Sequence, residues 1–212
     1  MIEPLLKVWS VCVGEKYSND YVYRLQTMVA NNLAKRYQFL CLTDREIPGV
    51  DCVRPLLGFP GWYSKLELFE LETGPAIYFD LDVVIVGPIE PLLCVDGIKI
   101  PKNWAQSGHG GCQSSVMAWK GDYAMLARLF KPELLTPPTS GNFGLYGPLK
   151  LWGDQEYITE MLGEPGGIVV EEMNGVFSYK YHCQNGLPPT AKVVCFHGSP
   201  KPHEVSAEWI PY

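Results

Sequence analysis

The sequence predicts an α/β fold in which strands and helices alternate along the chain. Short apolar runs, typical of buried strands, are separated by stretches whose apolar residues recur every three or four positions. The chain has 212 residues, of which 47% are hydrophobic and 19% charged, so it can bury a sizeable core. No internal repeat, low-complexity tract or linker divides it. We therefore expect one domain that spans residues 1–212.

The first half of the chain predicts two strand-helix units. An apolar run over 5–13 predicts the first strand, and Asn19 or Asp20 can cap the helix that follows. The apolar residues of that helix recur at helical spacing and are Tyr21, Leu25, Met28, Val29 and Leu33. Further strands are predicted over 37–42 and 52–57, and a second helix over 62–71.

The second half is predicted to continue this alternation, with one long interruption. We expect strands over 98–101 and 114–119, helices over 122–130 and 153–162, and a last strand that begins at Val193. The segment 131–148 is rich in proline and glycine and is too long for a simple connector. Such segments are often lids or binding loops, and this one is a candidate binding loop.

The most informative stretch is 76–86, a run apolar enough for a buried strand except for Asp80 and Asp82. An unpaired buried carboxylate costs several kcal/mol or takes up a proton. The pair therefore favours half of a divalent-metal site, with Mg²⁺ or Mn²⁺ as ions that suit oxygen ligands. Such ions often complete their shell with substrate phosphates. In parallel α/β sheets ligands bind at the carboxyl ends of strands, where Asp80 and the 14–17 loop are both expected.

Charge and cysteine content limit the partners and the cellular location that we expect for the chain. The net charge is 17 − 23 = −6 and no basic run is present, so charge does not favour duplex nucleic acid or an anionic membrane as a partner. We find no signal peptide and no membrane span, and expect a cytoplasmic location. The seven cysteines include no C-x-x-C pair, which indicates reduced thiols that pack in the core.

Five motifs in order resemble those of GT-A fold glycosyltransferases, which have a Rossmann-like mixed sheet flanked by helices. The motifs are Trp62-Tyr63-Ser64-Lys65-Leu66, Asp80-Leu81-Asp82, Ser114-Ser115-Val116-Met117, Gly153-Asp154-Gln155 and His197-Gly198-Ser199-Pro200-Lys201-Pro202. The resemblance is to the retaining glycogenin-like and galactosyltransferase-like group, including small bacterial and phage relatives. It spans nearly the whole chain. A lone Asp-x-Asp is weak evidence, but five ordered motifs are difficult to obtain by chance.

The resemblance implies a metal and diphosphate site. Asp80 and Asp82 would be the metal and donor anchor, and His197 the third protein ligand of Mn²⁺ or, alternatively, Mg²⁺. Gly198 and Lys201 would lie against the diphosphate of a nucleotide sugar. There the lysine would stabilise the charge that builds on the leaving group. Taken singly, the aspartates fit an N-cap or ion pair, the histidine a core residue and the lysine a solvated surface.

The resemblance also implies which residues surround the donor. Lys65 is expected near the donor, Tyr17 against the nucleobase, and Ser114 at the sugar hydroxyls. Gln113 stands where the family commonly has asparagine. The extra methylene places the usual hexose contacts in doubt and indicates a different or smaller sugar.

The Asp154-Gln155 pair matches a family pair near the anomeric carbon. Either Asp154 is a nucleophile or Gln155 stabilises a short-lived ion pair, and the sequence does not decide between them. Asp154 is also a plausible helix N-cap.

These residues predict a metal-dependent transferase that moves a sugar from a nucleoside diphosphate sugar, with UDP the first candidate, and retains configuration. The acceptor is open, and the segment 131–148 is our candidate for the loop on the acceptor side. The candidate acceptors are a glycan, a protein or, in a phage context, a hydroxylated DNA base, in which case the location is the host cytoplasm. A nucleotidyltransferase fits less well because the first loop, Val13-Gly14-Glu15-Lys16-Tyr17-Ser18, is not a glycine-rich phosphate loop. A nucleotide-sugar-binding module without turnover is the non-enzymatic alternative.

Overall fold

The computed structural model describes residues 4–104, 111–135, 151, 153–163 and 173–211. Its strands are β1 (Leu6–Cys12), β2 (Tyr37–Thr43), β3 (Asp51–Val53), β4 (Ala76–Phe79), β5 (Val83–Ile85), β6 (Gly97–Lys99), β7 (Val116–Lys120), β8 (Val176–Ser178) and β9 (Val193–Cys195). Six of them form a mixed sheet in the order β3-β2-β1-β4-β7-β6, and β5, β9 and β8 form a second sheet in that order. The predicted α/β class is confirmed.

Helices cover the larger sheet on both faces. They are α1 (Asn19–Asn32), α2 (Leu68–Leu71), α3 (Met125–Arg128) and α4 (Asp154–Leu162). The helical spacing predicted for the first helix corresponds to its buried face, on which Val22, Leu25, Met28 and Val29 lie. The helix predicted over 62–71 is a 3-10 segment, Gly61–Glu67, that runs into α2. The helix predicted over 122–130 is limited to α3.

The core has two parts, one on each face of the larger sheet. Alternate residues of β1 point to opposite faces, so Val8 joins the part beneath α1 and the second sheet, while Trp9 joins the part beneath α2 and α3. Ser10 is buried in the same strand.

The apolar run 76–86 is two strands rather than one. β4 pairs with β1 and β7 in the larger sheet, whereas β5 pairs with β9 in the smaller one. Asp80, Leu81 and Asp82 form the turn between them, with a hydrogen bond from the Val83 N–H to the Asp80 carbonyl at 3.4 Å. The chain must change sheets here, so the two carboxylates lie at the junction of the two sheets.

Two further features bear on the sequence expectations. All seven cysteines are unpaired and all except Cys52 are buried, which agrees with reduced packing residues. Within the described ranges, no helix has the length and apolar character needed to cross a membrane.

Candidate active site

The strand ends bring distant parts of the sequence to one edge. β1, β2 and β4 are parallel neighbours, so their carboxyl ends lie side by side. β7 runs antiparallel to β4 with Phe79 opposite Val116, which places the residues before β7 at the same edge. In the smaller sheet Val83 lies opposite Cys195, so the chain after β9 leaves beside Asp82. The Phe196 N–H donates to the Asp82 carbonyl at 3.2 Å and holds the two segments together.

A buried lysine joins two of the predicted motifs. Lys65 extends from the 3-10 segment and its ammonium lies 2.9 Å from Asp80 Oδ1 and 3.0 Å from Asp154 Oδ2. It also donates to the hydroxyl of Ser114 at 3.3 Å, and that hydroxyl donates to Asp154. Tyr78 donates a second hydrogen bond to Asp80. We call Lys65, Tyr78, Asp80, Ser114 and Asp154 the inner cluster.

The charges of the inner cluster stabilise one another. Burial by itself lowers the pKa of Lys65, but the carboxylates of Asp154 and Asp80 outweigh it and raise the pKa above its ordinary value. Burial also acts to raise the pKa of Asp80, whereas the charge of Lys65 and the hydrogen bond from Tyr78 hold it below its ordinary value. The lysine is therefore a cation and Asp80 an anion at neutral pH. The Lys65 side chain is only 5% exposed.

A second ion pair lies at Asp82. Lys201 Nζ is 2.5 Å from Asp82 Oδ2, and the phenol of Tyr17 donates to the same oxygen at 2.8 Å. Lys201 donates to the Tyr17 hydroxyl as well, at 3.2 Å. Burial and the charge of Asp82 raise the pKa of Tyr17, which keeps the phenol protonated and a donor. We call Tyr17, Asp82 and Lys201 the outer cluster.

His197 lies against aromatic rings and is held by a serine. Its Nε2 is 2.7 Å from Ser178 Oγ. Its ring is stacked against Trp104 and Tyr181, with centroids 6.4 Å and 5.8 Å away. Burial and the charge of Lys180 lower the pKa of His197, which favours the neutral imidazole that a metal requires. Since Ser178 engages Nε2, Nδ1 is the nitrogen left for a ligand.

The chemistry of the three predicted metal ligands fits a divalent cation. Two carboxylates and one neutral imidazole suit Mn²⁺. In the part of the chain that the structure describes, however, no three His, Cys, Asp or Glu side chains are grouped so that they could hold an ion. Asp80 and Asp82 are each paired with a lysine instead. Binding of an ion by both carboxylates and His197 therefore requires these side chains to rearrange.

The structure places the remaining predicted site residues unequally. Ser114 is in the inner cluster, but both ends of the Gln113 amide are hydrogen bonded at 2.8 Å to Ser115, so this side chain braces its own turn. Gln155 follows Asp154 in the first turn of α4 and is partly exposed. Of the expected acceptor loop 131–148, residues from 136 onward lie outside the described ranges.

Gly198 adopts a backbone conformation that favours glycine, with φ of 72°. A Cβ there would lie 3.1 Å from Lys180 Nζ. The amine of Lys180 therefore comes close to the turn that follows His197. The sequence did not predict this second lysine because a lone basic residue is usually solvated.

Arg45 was also not among the site residues predicted from the sequence. From the end of β2 it donates to the carbonyls of Gly14 at 2.5 Å and Tyr17 at 2.6 Å, and to the Asn19 side chain at 3.0 Å. Asp44 accepts from the Gly14 N–H at 2.8 Å. Together the two residues fix the 14–17 loop that carries Tyr17. The only sequence signal was their position after a parallel strand.

Solved structures similar to this chain are glycosyltransferases. The galactosyltransferase LgtC, crystallised with donor and acceptor sugar analogues, aligns with a TM-score of 0.62 at 16% identity, covering 92% of this chain and 88% of LgtC. GlyE of Streptococcus pneumoniae TIGR4 gives 0.63 at 14% identity, covering 94% of this chain and 56% of GlyE. The bifunctional glycosyltransferase WbbM gives 0.59 at 11% identity, covering 93% and 46%. The chain has the GT-A fold.

The GT-A fold confirms the resemblance seen in the ordered motifs at the level of fold. No protein-family model matches the sequence, and a search of curated proteins found no match. At such low identity, the roles of individual residues depend on the geometry of this chain.

Proposed function

We propose that the chain is a metal-dependent glycosyltransferase that moves a sugar from a nucleoside diphosphate sugar, with UDP the first base to test, and retains configuration. One observation carries the proposal. The ion pair between Asp82 and Lys201, which are 119 positions apart, joins the Asp-x-Asp turn to the loop after β9. Carboxylates for a cation and lysines for a diphosphate thereby meet at one edge of a GT-A sheet.

The lysines supply the positive charge that the departure of a nucleoside diphosphate requires. As the bond from sugar to phosphate breaks, negative charge builds on the diphosphate oxygens, and cations held nearby lower the barrier. Lys180 lies close to the turn at Gly198 and Lys201 lies at Asp82, and both suit this role. A divalent ion, when bound by Asp80, Asp82 and His197, would add Lewis-acid stabilisation of the same oxygens. Neither lysine needs to transfer a proton.

The contacts of Asp154 favour one of the two retaining mechanisms. Its Oδ2 accepts from both Lys65 and Ser114, and the side chain is 10% exposed. A carboxylate held by a buried ammonium and a hydroxyl is a weakened nucleophile, because both contacts stabilise its negative charge. We therefore assign Asp154 the task of anchoring the start of α4 to the inner cluster. Gln155, the next residue, then faces the reacting sugar and stabilises a short-lived ion pair.

The acceptor is a hydroxyl group of a glycan, a protein or a modified DNA base. A net charge of −6 makes extensive contact with duplex phosphates the least favoured of these. Screening small glycosides, proteins and hydroxymethylated oligonucleotides with the same donor would separate them.

Thermal shifts and donor turnover test the proposal. Nucleoside diphosphates and nucleotide sugars are added with and without Mn²⁺ to the wild type, to Asp82→Asn and to Asp96→Asn. Asp96 is exposed and remote in sequence from the motifs, so its variant is a matched control for loss of one carboxylate.

We expect one nucleotide to raise the melting temperature in a Mn²⁺-dependent way in the wild type and in Asp96→Asn, and not in Asp82→Asn. Release of that nucleoside diphosphate from its sugar should follow the same pattern. Full turnover by Asp82→Asn, or in excess chelator, would contradict the metal-dependent mechanism.

A further inference from the structure

The Asp82 carboxylate already has a cation. Lys201 Nζ lies 2.5 Å from Oδ2, and the two side chains are only 19% and 11% exposed. Tyr17 donates to the same oxygen, so Oδ2 accepts two hydrogen bonds. If Asp82 binds a divalent ion through this oxygen, the ammonium must first leave it, because two cations cannot share one lone-pair region without strong repulsion.

We propose that Lys201 is an exchangeable counter-ion: it neutralises Asp82 in the free protein, and moves to the diphosphate when a divalent ion takes its place. This inference rests on the proposed function and adds a regulatory consequence to it. Binding of the ion at Asp82 would release Lys201 to contact the diphosphate, and binding of the diphosphate would draw Lys201 away from Asp82. Their binding is therefore positively coupled through one side chain.

The backbone at Lys201 suits such an exchange. Its N–H donates to Glu204 Oε2 at 2.5 Å, and the Glu204 N–H donates to the Lys201 carbonyl at 3.0 Å. The main chain is thus held on both sides while the ammonium sits at the end of four methylenes. Rotation about side-chain bonds can therefore move the charge away from Asp82 without a change in the main chain.

Lys65 is a poor candidate for the same exchange. It is almost completely buried and contacts Asp80, Asp154 and Ser114 together. Removing its ammonium from Asp80 would still leave it held by Asp154. We therefore infer that Lys65 has a structural role and keeps its contacts, whereas Lys201 exchanges.

The exchange makes an unusual prediction, namely that removal of a lysine strengthens metal binding in the absence of nucleotide. Lys201→Met should bind Mn²⁺ alone about tenfold more tightly than the wild type, equivalent to about 1.4 kcal/mol. The same variant should lose most of the increase in Mn²⁺ affinity that UDP causes in the wild type. By linkage, the effect of Mn²⁺ on UDP affinity should fall by the same factor.

The experiment measures Mn²⁺ binding by electron paramagnetic resonance of the free ion, at one pH and ionic strength, with and without UDP. The proteins are the wild type, Lys201→Met, Lys201→Gln and Lys16→Met. Lys16 is exposed, and its ammonium lies 5.1 Å from the centroid of the Tyr17 ring, close to the 5.5 Å for Lys201. It makes no contact with Asp82 within the described structure, so its variant controls for loss of a nearby positive charge. Circular dichroism confirms that each variant is folded.

Tighter Mn²⁺ binding by both Lys201 variants, with Lys16→Met like the wild type, is the expected result. Equal or weaker binding by the Lys201 variants, in a wild type that does bind Mn²⁺, would overturn the exchange and leave the proposed function intact. An equal gain in Lys16→Met would also overturn it, because the effect would then be one of general charge. If no protein binds Mn²⁺ even with UDP, the metal-dependent function fails and the exchange fails with it.

Discussion

Replacement of Lys65 by methionine tests whether the inner cluster is held together by a buried charge. Methionine has a similar length but no ammonium, so Asp80 and Asp154 would face each other without the cation that lies 2.9 Å and 3.0 Å from them. Loss of one partner of a buried ion pair costs about 3–5 kcal/mol, because the remaining charge is left uncompensated. The Asp80 side chain is 25% exposed, and water there would offset part of the cost. We therefore expect a loss of about 3 kcal/mol, the lower end of that range.

The loss of folding stability in Lys65→Met should become smaller as the pH falls. The pKa of Lys65 is raised, so its stabilising contribution is complete below the unfolded value of about 10.4 and is lost as the pH rises through the folded value. The pKa of Asp80 is lowered, so its contribution is present above about 3.9 and is lost as the pH falls through the folded value. Between these limits the wild-type contribution is constant. In Lys65→Met, burial of Asp80 is opposed by one cation fewer, its pKa rises, and protonation relieves the cost as the pH falls.

Thermal unfolding at pH 7.5 and pH 5.0 measures both effects. We expect a fall in melting temperature of about 6–12 °C at pH 7.5, given about 2–4 °C per kcal/mol for a chain of this size. At pH 5.0 the fall should be smaller. Adding Asp154→Asn to Lys65→Met should recover part of the stability, since it removes one of the two unpaired charges.

The matched control is Arg54→Met. Arg54 and Glu46 are 2.8 Å apart but exposed, and such a pair contributes about 0–1 kcal/mol. A loss in Lys65→Met no greater than in this control, or a loss that does not shrink at pH 5.0, would refute the assignment of Lys65 as a buried counter-ion.

Three other variants or treatments test the outer parts of the site. Arg45→Met should weaken UDP binding about tenfold in titration calorimetry, because the 14–17 loop loses its brace; unchanged affinity would show that the loop is held without it. Gln155→Ala should keep nucleotide affinity and lower sugar transfer about a hundredfold, whereas equal transfer would return Asp154 to consideration as the reacting group. In the native protein, Ellman's reagent should modify only Cys52 rapidly, since the other six thiols are buried and burial raises the pKa of Cys112 and Cys183 to about 11; seven should react in guanidinium.

The order of elements was predictable because apolar periodicity decides it. The helix after the first strand follows from helical spacing, and the strands at 6–12 and 37–43 follow from short apolar runs. The strand Val176–Ser178 was not predicted, since it has three residues and gains its stability from pairing with Val193–Cys195. The break at Asp80 was also hidden, because the run on both sides is equally apolar. A change of sheet is a tertiary event that local periodicity does not record.

The candidate site was predictable in part for a different reason. Motif order selected Lys65, Asp80, Ser114 and Asp154, and the structure brings these four together. The partners of each charge were not predictable, because pairing depends on side-chain geometry between segments that lie far apart. Gln113 is an example: the sequence placed it where the family commonly has an asparagine, but did not reveal that its amide bonds to Ser115 two residues away.

The junction between the two sheets gives the Asp-x-Asp turn a mechanical property. The Asp80 N–H donates to the Ser115 carbonyl at the edge of the larger sheet, while the Asp82 carbonyl accepts from Phe196 beside the smaller one. One carboxylate is thus carried by each sheet, and only Leu81, buried in the core, separates them. A shift of one sheet against the other changes the distance between the two carboxylates directly. The distance between the two carboxylates therefore depends on the relative position of the two sheets. A change in core packing far from the turn that shifts one sheet would alter this distance.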